Sequence, residues 1–389
     1  MRTLMMTKIL GRKVPQETNF LVNMFEFRQI NVHHSILCND HMCQLMFTDK
    51  KPVIYLMQEP YYNKYGKLVG IPVGYNSYGE KKSRAIIVAP AFMNLVYSHE
   101  FSTADITVCL LDLGNNKKTF IMSGYLDIKK DPIHPYLVKL ADYVVSCDGQ
   151  AIYGLDANSH SVLWNSAESN SRGLDLEDFI MSYNLDICNQ GDKFTYEPEY
   201  SSARTIIDIT LAQGVNDIKS WRVSEEYHFS DHNMIIFELD KVIDLKPKKV
   251  PKTDWVKFNS LLDLGESNIV QWDYATIDNE AELIVSSITS TIKKCTFYKI
   301  VKPKGKKWYN EDLKLEKAQV MKLAKITKAD RTAFNESALK NAKKSYFKNC
   351  RRAKRQSWQE FTESIESPKN MAKLNRVLNK NDHNKLGLL

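Results

Sequence analysis

The sequence predicts an α/β fold in which two β-sheets pack face to face between helices, followed by a basic helical C-terminal extension. Short apolar runs broken by turn residues dominate from Phe25 to Leu239, and stretches with helical spacing lie between some of them. Beyond Lys241 the composition becomes rich in Lys and polar residues with helical spacing. A hydrophobic content of 43% over 389 residues is typical of a globular protein with a sizeable core, which excludes a disordered chain.

The apolar runs predict the strands, since buried strands are continuously apolar and half-buried strands alternate. In chain order the predicted strands are 25–32, 53–57, 85–89, 106–111, 120–125, the run that ends at Tyr153, 205–211 and 234–239. Apolar residues that recur every three or four positions predict helices over 132–145 and 174–183. The residues that define their apolar faces are Leu137, Leu140, Ala141 and Val144 in the first, and Leu176, Phe179 and Ile180 in the second.

Changes of composition predict four segments. They are a leader over 1–24, a main domain over 25–240, a linker with amphipathic helices over 241–305, and a basic helical segment over 306–389. Residues 302–355 hold 18 Lys and Arg against 5 Asp and Glu, although the net charge of the whole chain is only +8. The positive charge is therefore concentrated in one segment, which predicts a polyanion-binding appendage on a mildly acidic body. A solvated charged helix is the alternative.

The cysteines and the longest apolar runs bear on the cellular compartment. Seven scattered cysteines without a Cys-x-x-Cys pair predict reduced thiols in an intracellular protein, with neither a disulfide framework nor a zinc site. No apolar run approaches the length of a membrane span, so no membrane partner is expected.

Asp156 and Asn158 directly follow the run that ends at Tyr153, and they draw attention to the ends of the strands. Side chains two positions apart on an extended strand project to the same side, so a carboxylate and an amide would point at one place. Such a pair can orient a water and hold a charged oxygen, as the hydrolysis of a phosphate ester requires. A turn is the alternative, because Asp and Asn both favour turns.

Other predicted strands also end in reactive side chains. These are Asn31, Glu59, Tyr125, Asp208 and the triplet Ser230-Asp231-His232. Each has an alternative role: Glu59 as a surface turn residue, Tyr125 as an edge aromatic and His232 as a buried core histidine. Strand ends on one rim of a sheet converge in space, however, and functional sites are commonly built there.

The order of these motifs resembles the endonuclease/exonuclease/phosphatase superfamily, and more closely the endonuclease domain of non-LTR (LINE-type) retrotransposons, over about residues 25–239. The motifs are Gln29-Ile30-Asn31, Gln58-Glu59-Pro60-Tyr61, Ser123-Gly124-Tyr125, Asp156-Ala157-Asn158-Ser159-His160, Arg172-Gly173, Phe194-Thr195-Tyr196, Ile207-Asp208-Ile209 and Ser230-Asp231-His232. The resemblance implies a four-layer α/β sandwich and a phosphodiester-hydrolysing activity.

The resemblance also implies roles for the site residues. Glu59 and Asn31, completed by Asp231, would hold a divalent ion, Mg²⁺ or Mn²⁺ in its place. Asp156 would orient or deprotonate the attacking water, and Asn158 would steady the phosphate. Tyr125 and Thr195 would donate hydrogen bonds to phosphate oxygens, and Ser230 would support the turn beside them. His232, oriented by Asp208, would stabilise the charge of the pentacovalent state.

Two further features bear on the resemblance. Many cellular abasic-site nucleases carry an acidic residue two positions after the first asparagine, where this chain has His33, and the retrotransposon branch often lacks that acid as well. The basic segment looks like the connector between an endonuclease and a reverse transcriptase. Its Arg351, Arg352, Lys354 and Arg355 are predicted to contact DNA, and element RNA is a second candidate partner for this helix.

These patterns predict a metal-dependent endonuclease that nicks one strand of duplex DNA and leaves a 3′-hydroxyl for target-primed reverse transcription. Its point of action would be the nucleus. Two alternatives are a catalytically inactive relic that binds nucleic acid, and another hydrolase of the superfamily that acts on abasic DNA or on a small phosphate ester.

Overall fold

The computed structural model describes residues 20–375 except 23, 94, 113–116, 200, 202, 241–242, 246–248, 264–273, 301–306, 366–370 and 373. The strands in these ranges are β1 Phe20–Val22, β2 Phe25–Asn31, β3 Val53–Gln58, β4 Tyr75–Tyr78, β5 Ala85–Pro90, β6 Val96–Tyr97, β7 Ile106–Leu111, β8 Thr119–Tyr125, β9 Gln150–Asp156, β10 Asp186–Ile187, β11 Asp208–Gln213, β12 Ile218–Val223, β13 Ile235–Leu239, β14 Ile243–Leu245, β15 Lys249–Thr253 and β16 Thr296–Ile300. The α-helices are α1 Ile36–Thr48, α2 Pro135–Ser146, α3 Ser171–Ser182, α4 Trp255–Leu261, α5 Tyr274–Cys295, α6 Glu311–Ala329 and α7 Ala333–Glu363.

Two six-stranded sheets form the body of the protein. The first has the strand order β12-β13-β2-β3-β5-β4, and the second has the order β10-β11-β9-β8-β7-β6. Each sheet contains one parallel pair, β2 with β3 and β8 with β9, and its other pairs are antiparallel. A parallel pair places both carboxyl ends at the same edge of its sheet, so each sheet has one edge where chain segments leave adjacent strands together.

The hydrophobic core lies in three layers that the two sheets separate. Between the sheets, side chains such as Phe27 and Leu56 of the first sheet share one cluster with Ile121 and Ile152 of the second. A second cluster joins the outer face of the second sheet to α2 and α3, and a third joins the outer face of the first sheet to α1, α6 and α7. Helices therefore cover both outer faces, which confirms the predicted four-layer α/β sandwich.

The predicted elements agree with the structure in most places. The helix faces of α2 and α3 are buried at the residues that the spacing selected, Leu137, Leu140, Ala141 and Val144, and Leu176, Phe179 and Ile180. The predicted strand over 205–211 begins later, at Asp208, and extends to Gln213. The sequence pattern did not predict α1, whose inner face buries polar Asn39, Asp40 and His41 among its apolar residues.

The segment after residue 240 contains more strand than predicted. β14 pairs with β1, and β15 pairs with β16, all antiparallel, while α4 and α5 supply the predicted helices. The predicted basic helical segment over 306–389 contains the helices α6 and α7. Asp330 ends α6, and the Thr332 side chain caps α7 by accepting a hydrogen bond from the backbone N–H of Asn335. Most of the predicted leader lies outside the described residues.

The helical hairpin of α6 and α7 packs on the first sheet and on α1. Leu313, Val320 and Ala324 of α6, and Leu339, Tyr346 and Cys350 of α7, share the cluster that contains the outward-facing residues of β3. Polar contacts join the same elements, since the Nζ atom of Lys317 donates to Oε1 of Gln44 at 2.9 Å and Lys354 pairs with Asp40. The basic hairpin is therefore packed on the domain through its apolar face.

Two predictions about compartment can be compared with the described part of the chain. All seven cysteines lie within it and none forms a disulfide, as the sequence predicted. None of the described helices is long and apolar enough to cross a membrane.

Gly173 is the glycine whose lack of a side chain matters most for the site described below. It lies in the first turn of α3, and a Cβ atom built on it would be 1.7 Å from the backbone oxygen of His160. The Asn170 cap completes the contact by accepting from the N–H groups of both Gly173 and His160. Gly173 therefore lets α3 approach the segment that follows Asp156.

We expect Gly173→Ala to lower the free energy of unfolding by about 1–3 kcal/mol, because the methyl group must push the His160 backbone away. Leu174→Ala is the matched control, since Leu174 is the next residue and is 53% exposed, and it should change stability by less than about 0.5 kcal/mol. Urea denaturation of both variants measures the difference. Equal stabilities would show that the approach at Gly173 is not constrained.

Candidate active site

One open cleft collects most of the polar side chains that the sequence placed at strand ends. Of the predicted site residues, the cleft is lined by Asn31, Glu59, Tyr125, Asp156, Asn158, Asp231 and His232. Asn31 ends β2, Glu59 follows β3, Tyr125 ends β8 and Asp156 ends β9. The carboxyl ends of the two parallel pairs therefore meet at this cleft, one pair from each sheet.

Asn31 connects two of the carboxylates. Its Nδ2 atom donates to Oδ2 of Asp156 at 2.7 Å and to Oε2 of Glu59 at 3.2 Å. Its Oδ1 atom accepts from the backbone N–H of His33 at 2.7 Å, which fixes the orientation of the amide. Glu59 and Asp156 come from different sheets, so this amide spans the junction of the two sheets inside the cleft.

His232 and Asp208 form a buried pair behind the cleft wall. Nδ1 of His232 lies 2.8 Å from Oδ2 of Asp208, and the side chains are 7% and 2% exposed. Burial disfavours the charged imidazolium, but the charge and the hydrogen bond of Asp208 outweigh burial and raise the pKa of His232 to about 9. The structure therefore holds a cationic imidazolium beside the carboxylates at neutral pH.

Asp156 is almost completely buried, at 1% exposure. Burial raises its pKa, the neighbouring Asp208 carboxylate raises it further, and His232 opposes the rise, so that the pKa of Asp156 is about 7. Its Oδ1 atom is buried and has no hydrogen-bond partner within the described ranges. A carboxyl group with an unoccupied oxygen and a pKa near neutrality is suited to exchange a proton with a bound water.

Asn158 lines the cleft for a different reason than the one predicted. β9 ends at Asp156, and Asn158 has a left-handed backbone with φ of 46°, so alternation along a strand does not set its direction. Nδ2 of Asn158 donates to the Leu126 carbonyl at 3.1 Å, and the backbone carbonyl of Asn158 accepts from Nε of Arg172 at 3.2 Å. The loop contacts therefore orient Asn158, and the expectation from strand geometry was wrong.

The ring of Tyr125 packs against a cationic side chain. The guanidinium of Arg84 lies 4.7 Å from the centroid of the Tyr125 ring, and Arg84 is fixed by ion pairs with Asp105 at 2.6 Å and Asp127 at 2.8 Å. Burial, and then the charges of Glu59 and Asp156, raise the pKa of Tyr125. The phenol therefore keeps its proton and can donate a hydrogen bond.

Histidines accompany the two outer carboxylates. Nδ1 of His33 lies 2.6 Å from Oδ2 of Asp231, and Nε2 of His34 lies 3.6 Å from Oε1 of Glu59. His33, two positions after Asn31, thus supplies a partner for Asp231. The hydrogen bond and charge of Asp231 raise the pKa of His33 against its partial burial.

Thr195 and Ser230 lie behind the cleft and do not line it. Thr195 is fully buried, and its hydroxyl accepts from the backbone N–H groups of Ile207 and Asp208 at 3.1 and 3.0 Å. Ser230 donates to the Asn31 carbonyl at 2.7 Å and accepts from the N–H of His232, as a residue that supports the turn would. A contact from either hydroxyl to phosphate stays a prediction.

The four basic residues predicted to contact DNA lie on α7, away from the lining of the cleft. Arg351, Arg352 and Arg355 are exposed, and Arg351 stacks on Phe347 at 5.6 Å. Lys354 is half-buried, pairs with Asp40 of α1 and lies 4.8 Å from the Trp308 ring centroid. Lys354 therefore joins α7 to the body, whereas the three arginines remain available to a polyanion.

Sequence reasoning missed several residues that build the site. Gln58 reaches across the sheets, where its Nε2 donates to Oγ of Ser123 at 3.1 Å and to the Gly154 carbonyl at 3.2 Å. His160 and Tyr196 line the cleft, and the Tyr196 ring lies 4.9 Å from the His232 ring. All three belong to the motifs quoted above, and a polar residue at the end of a continuous apolar run was the signal that could have identified Gln58.

The donor set of the cleft fits a hard divalent cation. Glu59 and Asp156 offer carboxylate oxygens, and Oδ1 of Asp156 is buried without a hydrogen-bond partner in the described part of the chain. The Asn31 amide presents Nδ2 to both carboxylates and Oδ1 to the His33 N–H, so its predicted role as a metal ligand stays a prediction. Asp156, Asp208 and His232 also bring ligand atoms within 4.8 Å of one another, but a protonated His232 has no lone pair to offer an ion. Asp231 is already paired with His33, so its predicted role as a metal ligand stays a prediction.

Comparison with known proteins bears on the predicted resemblance. Residues 119–236 match a family model described as endonuclease-reverse transcriptase. This match confirms the predicted resemblance to a retrotransposon endonuclease. None of the curated proteins matches the chain significantly.

Solved structures show similarity of fold at low identity. The endonuclease domain of TRAS1, a telomere-specific non-LTR retrotransposon, is 24% identical over 55% of this chain and 98% of its own, with a TM-score of 0.47. A mannosyl-6-phosphatase from Bacteroides thetaiotaomicron is 13% identical over 55% of this chain and 99% of its own, with a TM-score of 0.40. The catalytic domain of human Nocturnin is 13% identical over 57% of this chain and 96% of its own, with a TM-score of 0.39.

The His232–Asp208 pair gives a prediction for the metal-free protein. A raised pKa means that His232 is protonated at pH 7 and loses its proton as the pH rises through about 9. Asp208→Asn should lower this pKa by about 1–3 units, since burial then acts with less opposition. NMR titration of the imidazole measures both values, and Asp175→Asn, on the exposed face of α3, should leave them unchanged. A His232 titration that is the same in Asp208→Asn would contradict the assigned pairing.

The loop beside His232 is held by the α6–α7 hairpin. Arg331, between the two helices, donates to the carbonyl of Pro198 at 2.6 Å and also to those of Glu199 and Ser201. Lys328 pairs with Glu197, and Lys343 pairs with Glu199. Because Tyr196, Ala203 and Thr205 line the cleft, the hairpin supports one of its walls.

We expect Arg331→Gln to accelerate hydrogen exchange of residues 196–205 roughly tenfold or more, because hydrogen bonds from a charged group contribute about 1.5–3 kcal/mol each. Arg355→Gln, which replaces an exposed arginine of α7, is the control. Mass spectrometry of peptic fragments reports the protection of this loop separately from the rest of the domain. Unchanged protection in Arg331→Gln would mean that the loop is held without the hairpin.

Proposed function

We propose that the chain is a divalent-metal-dependent DNA endonuclease, which hydrolyses one phosphodiester in one strand of duplex DNA and leaves a 3′-hydroxyl that primes reverse transcription. The observation that carries the proposal is the joining of Asp156, Asn31 and Glu59 in one cleft with the cationic His232, in a domain matched by an endonuclease-reverse transcriptase family. Chromosomal DNA as the substrate would make the nucleus the point of action.

The residues divide the work of phosphodiester hydrolysis. Asp156 holds the attacking water and takes its proton, for which a buried carboxyl with a pKa of about 7 is suited. The water oxygen bonds to phosphorus while the bond from phosphorus to the 3′-oxygen breaks, and the leaving 3′-oxygen takes a proton from solvent water. The His232 imidazolium, oriented by Asp208, stabilises the negative charge that grows on the phosphate oxygens. Tyr125 donates a hydrogen bond to the phosphate, and the Asn158 amide steadies it from the adjacent loop.

Glu59 and Asn31, completed by Asp231, are the residues that would hold the ion, with Mg²⁺ as the first candidate and Mn²⁺ as the second. A bound divalent ion would neutralise charge on the scissile phosphate. The walls of the cleft come from both sheets, and the cleft is open to solvent between them. A polymeric substrate can therefore enter it. The exposed Arg351, Arg352 and Arg355 of α7 would add phosphate contacts to DNA or to element RNA.

Incubation of the full chain with supercoiled plasmid and Mg²⁺ tests the proposal. We expect conversion to open circles, and extension of the nicks by a DNA polymerase, which requires a 3′-hydroxyl. Asp156→Asn and His232→Gln should each slow nicking by at least about 100-fold. Asp175→Asn keeps the fold and replaces an exposed carboxylate of α3, so it should nick like the parent.

Three results would contradict the proposal. Nicking that survives both site substitutions would remove the assigned site. Salt-dependent DNA binding without nicking under Mg²⁺ or Mn²⁺ would indicate the binding relic. Faster hydrolysis of abasic DNA, or of a sugar or inositol phosphate, than of intact plasmid would indicate another hydrolase of the superfamily.

A further inference from the structure

A second group of side chains that could hold a metal ion lies outside the lining of the cleft. His41 belongs to α1, whereas Glu226 and His228 lie in the connection between β12 and β13. Each of the three can offer one ligand atom, and these atoms lie within 4.8 Å of one another. The His41 and His228 rings are tilted against each other with their centroids 5.2 Å apart.

The two histidines have nitrogen atoms that the fold leaves unsatisfied. Both residues are only 2% exposed, and the Nδ1 atoms of both are buried without a hydrogen-bond partner in the described part of the chain. Nε2 of His228 lies 3.0 Å from Oγ of Ser224, so in the tautomer that donates to Ser224 the Nδ1 atom carries a bare lone pair. Buried polar atoms of this kind normally have partners, so these two nitrogen atoms are candidates to bind a ligand.

We propose that His41, Glu226 and His228 form a binding site for one Zn²⁺ ion. Two imidazoles and one carboxylate are a donor set that zinc accepts, with a water as the fourth ligand. The hydroxyl of Ser224 supplies the outer hydrogen bond that usually orients a zinc-bound histidine. Mg²⁺, the ion proposed for the cleft, prefers oxygen donors, so this second site would bind Zn²⁺ in preference to Mg²⁺.

The spacing of the donors is close to what the ion requires. Zinc bonds of about 2.1 Å keep the donor atoms within about 4 Å of one another. In the structure the donor atoms lie within 4.8 Å of one another, which is slightly farther apart than a bound zinc ion would allow. Glu226 is exposed, so its side chain can close the difference without a change in the core. The two histidines are already held together by the packing of α1 against Phe229.

Lys317 of α6 and Arg28 of β2 are the cationic groups that oppose a cation at this place. Lys317 is half-buried and donates to Gln44, and the charges of both groups disfavour protonation of the two histidines. Burial lowers the pKa of Lys317 to about 8, so this amine is still mostly charged at pH 7. Removal of this amine should therefore strengthen zinc binding, which gives a variant whose effect is opposite to that of a ligand substitution.

A bound ion would have a structural consequence for the cleft. It would tie α1 to the β12–β13 connection four residues before His232, where Phe229 also stacks on Tyr346 of α7 at 5.8 Å. The connection that carries Asp231 and His232 would then be fixed by metal as well as by apolar packing.

The test uses the full chain, stripped with a chelator and then saturated with Mg²⁺ to occupy the oxygen donors of the cleft. Zn²⁺ is titrated against a chromophoric chelator, elemental analysis gives the stoichiometry, and Co²⁺ in place of Zn²⁺ reports tetrahedral nitrogen and oxygen donors by its visible spectrum. We expect one tightly bound Zn²⁺ per chain. Glu226→Gln and His228→Gln should weaken binding at least about tenfold, and Lys317→Met should tighten it.

His99→Gln is the matched control, since His99 packs on Tyr97 away from this cluster and should bind zinc like the parent. Glu226 is exposed, so Glu226→Gln should fold like the parent. It therefore still tests the proposal if a histidine variant misfolds. The absence of stoichiometric Zn²⁺ in the Mg²⁺-saturated parent would overturn the proposal. So would binding that Glu226→Gln and His228→Gln leave unchanged, or binding that is lost in Asp156→Asn, which would place the zinc in the cleft.

Discussion

The candidate site depends on buried amide side chains that connect the two sheets. Nε2 of Gln29 donates to the carbonyls of Leu155 and Ile209, and its Oε1 accepts from the hydroxyl of Thr210, while Gln58 makes the equivalent contacts to Ser123 and Gly154. Apolar packing alone tolerates sliding of one sheet over the other, whereas buried hydrogen bonds have one correct register. These bonds lie just behind the strand ends, so they fix the carboxylate of Asp156 relative to Asn31 and Glu59 on the opposite sheet.

Such close contact between sheets requires small residues at defined places. A Cβ atom on Gly154 would lie 2.5 Å from Leu56 and 3.0 Å from Oε1 of Gln29, so a side chain there would displace the amide. Gly124 is the partner of Leu155 on β8, and a Cβ atom on it would lie 2.6 Å from the Leu155 side chain. A glycine on β8 thus makes room for the leucine on the neighbouring strand β9.

Periodicity and strand ends predicted the two sheets, α2, α3 and most of the cleft, because continuous apolar runs and the polar residues that end them are local signals. α1 was not predictable in this way, since Asp40 and Gln44 on its packed surface find their partners, Lys354 and Lys317, roughly three hundred residues away. The direction of Asn158 was also not predictable, because a left-handed residue and contacts from Leu126 and Arg172 determine it. The roles of Thr195 and Ser230 depend on which backbone groups the fold presents to them, and no sequence pattern encodes that.

The contacts of Arg331 and of the apolar faces of α6 and α7 make the hairpin part of the folding unit. Compositional boundaries suggest that the domain ends near residue 240, yet Leu339, Tyr346 and Cys350 share one core with α1 and β3. A polypeptide cut at that boundary would expose this face of the sheet to water and would leave the carbonyls of Pro198 and Glu199 without the guanidinium. The hairpin and the sandwich should therefore melt in one cooperative transition, with the basic helix as the outermost layer of the folded body.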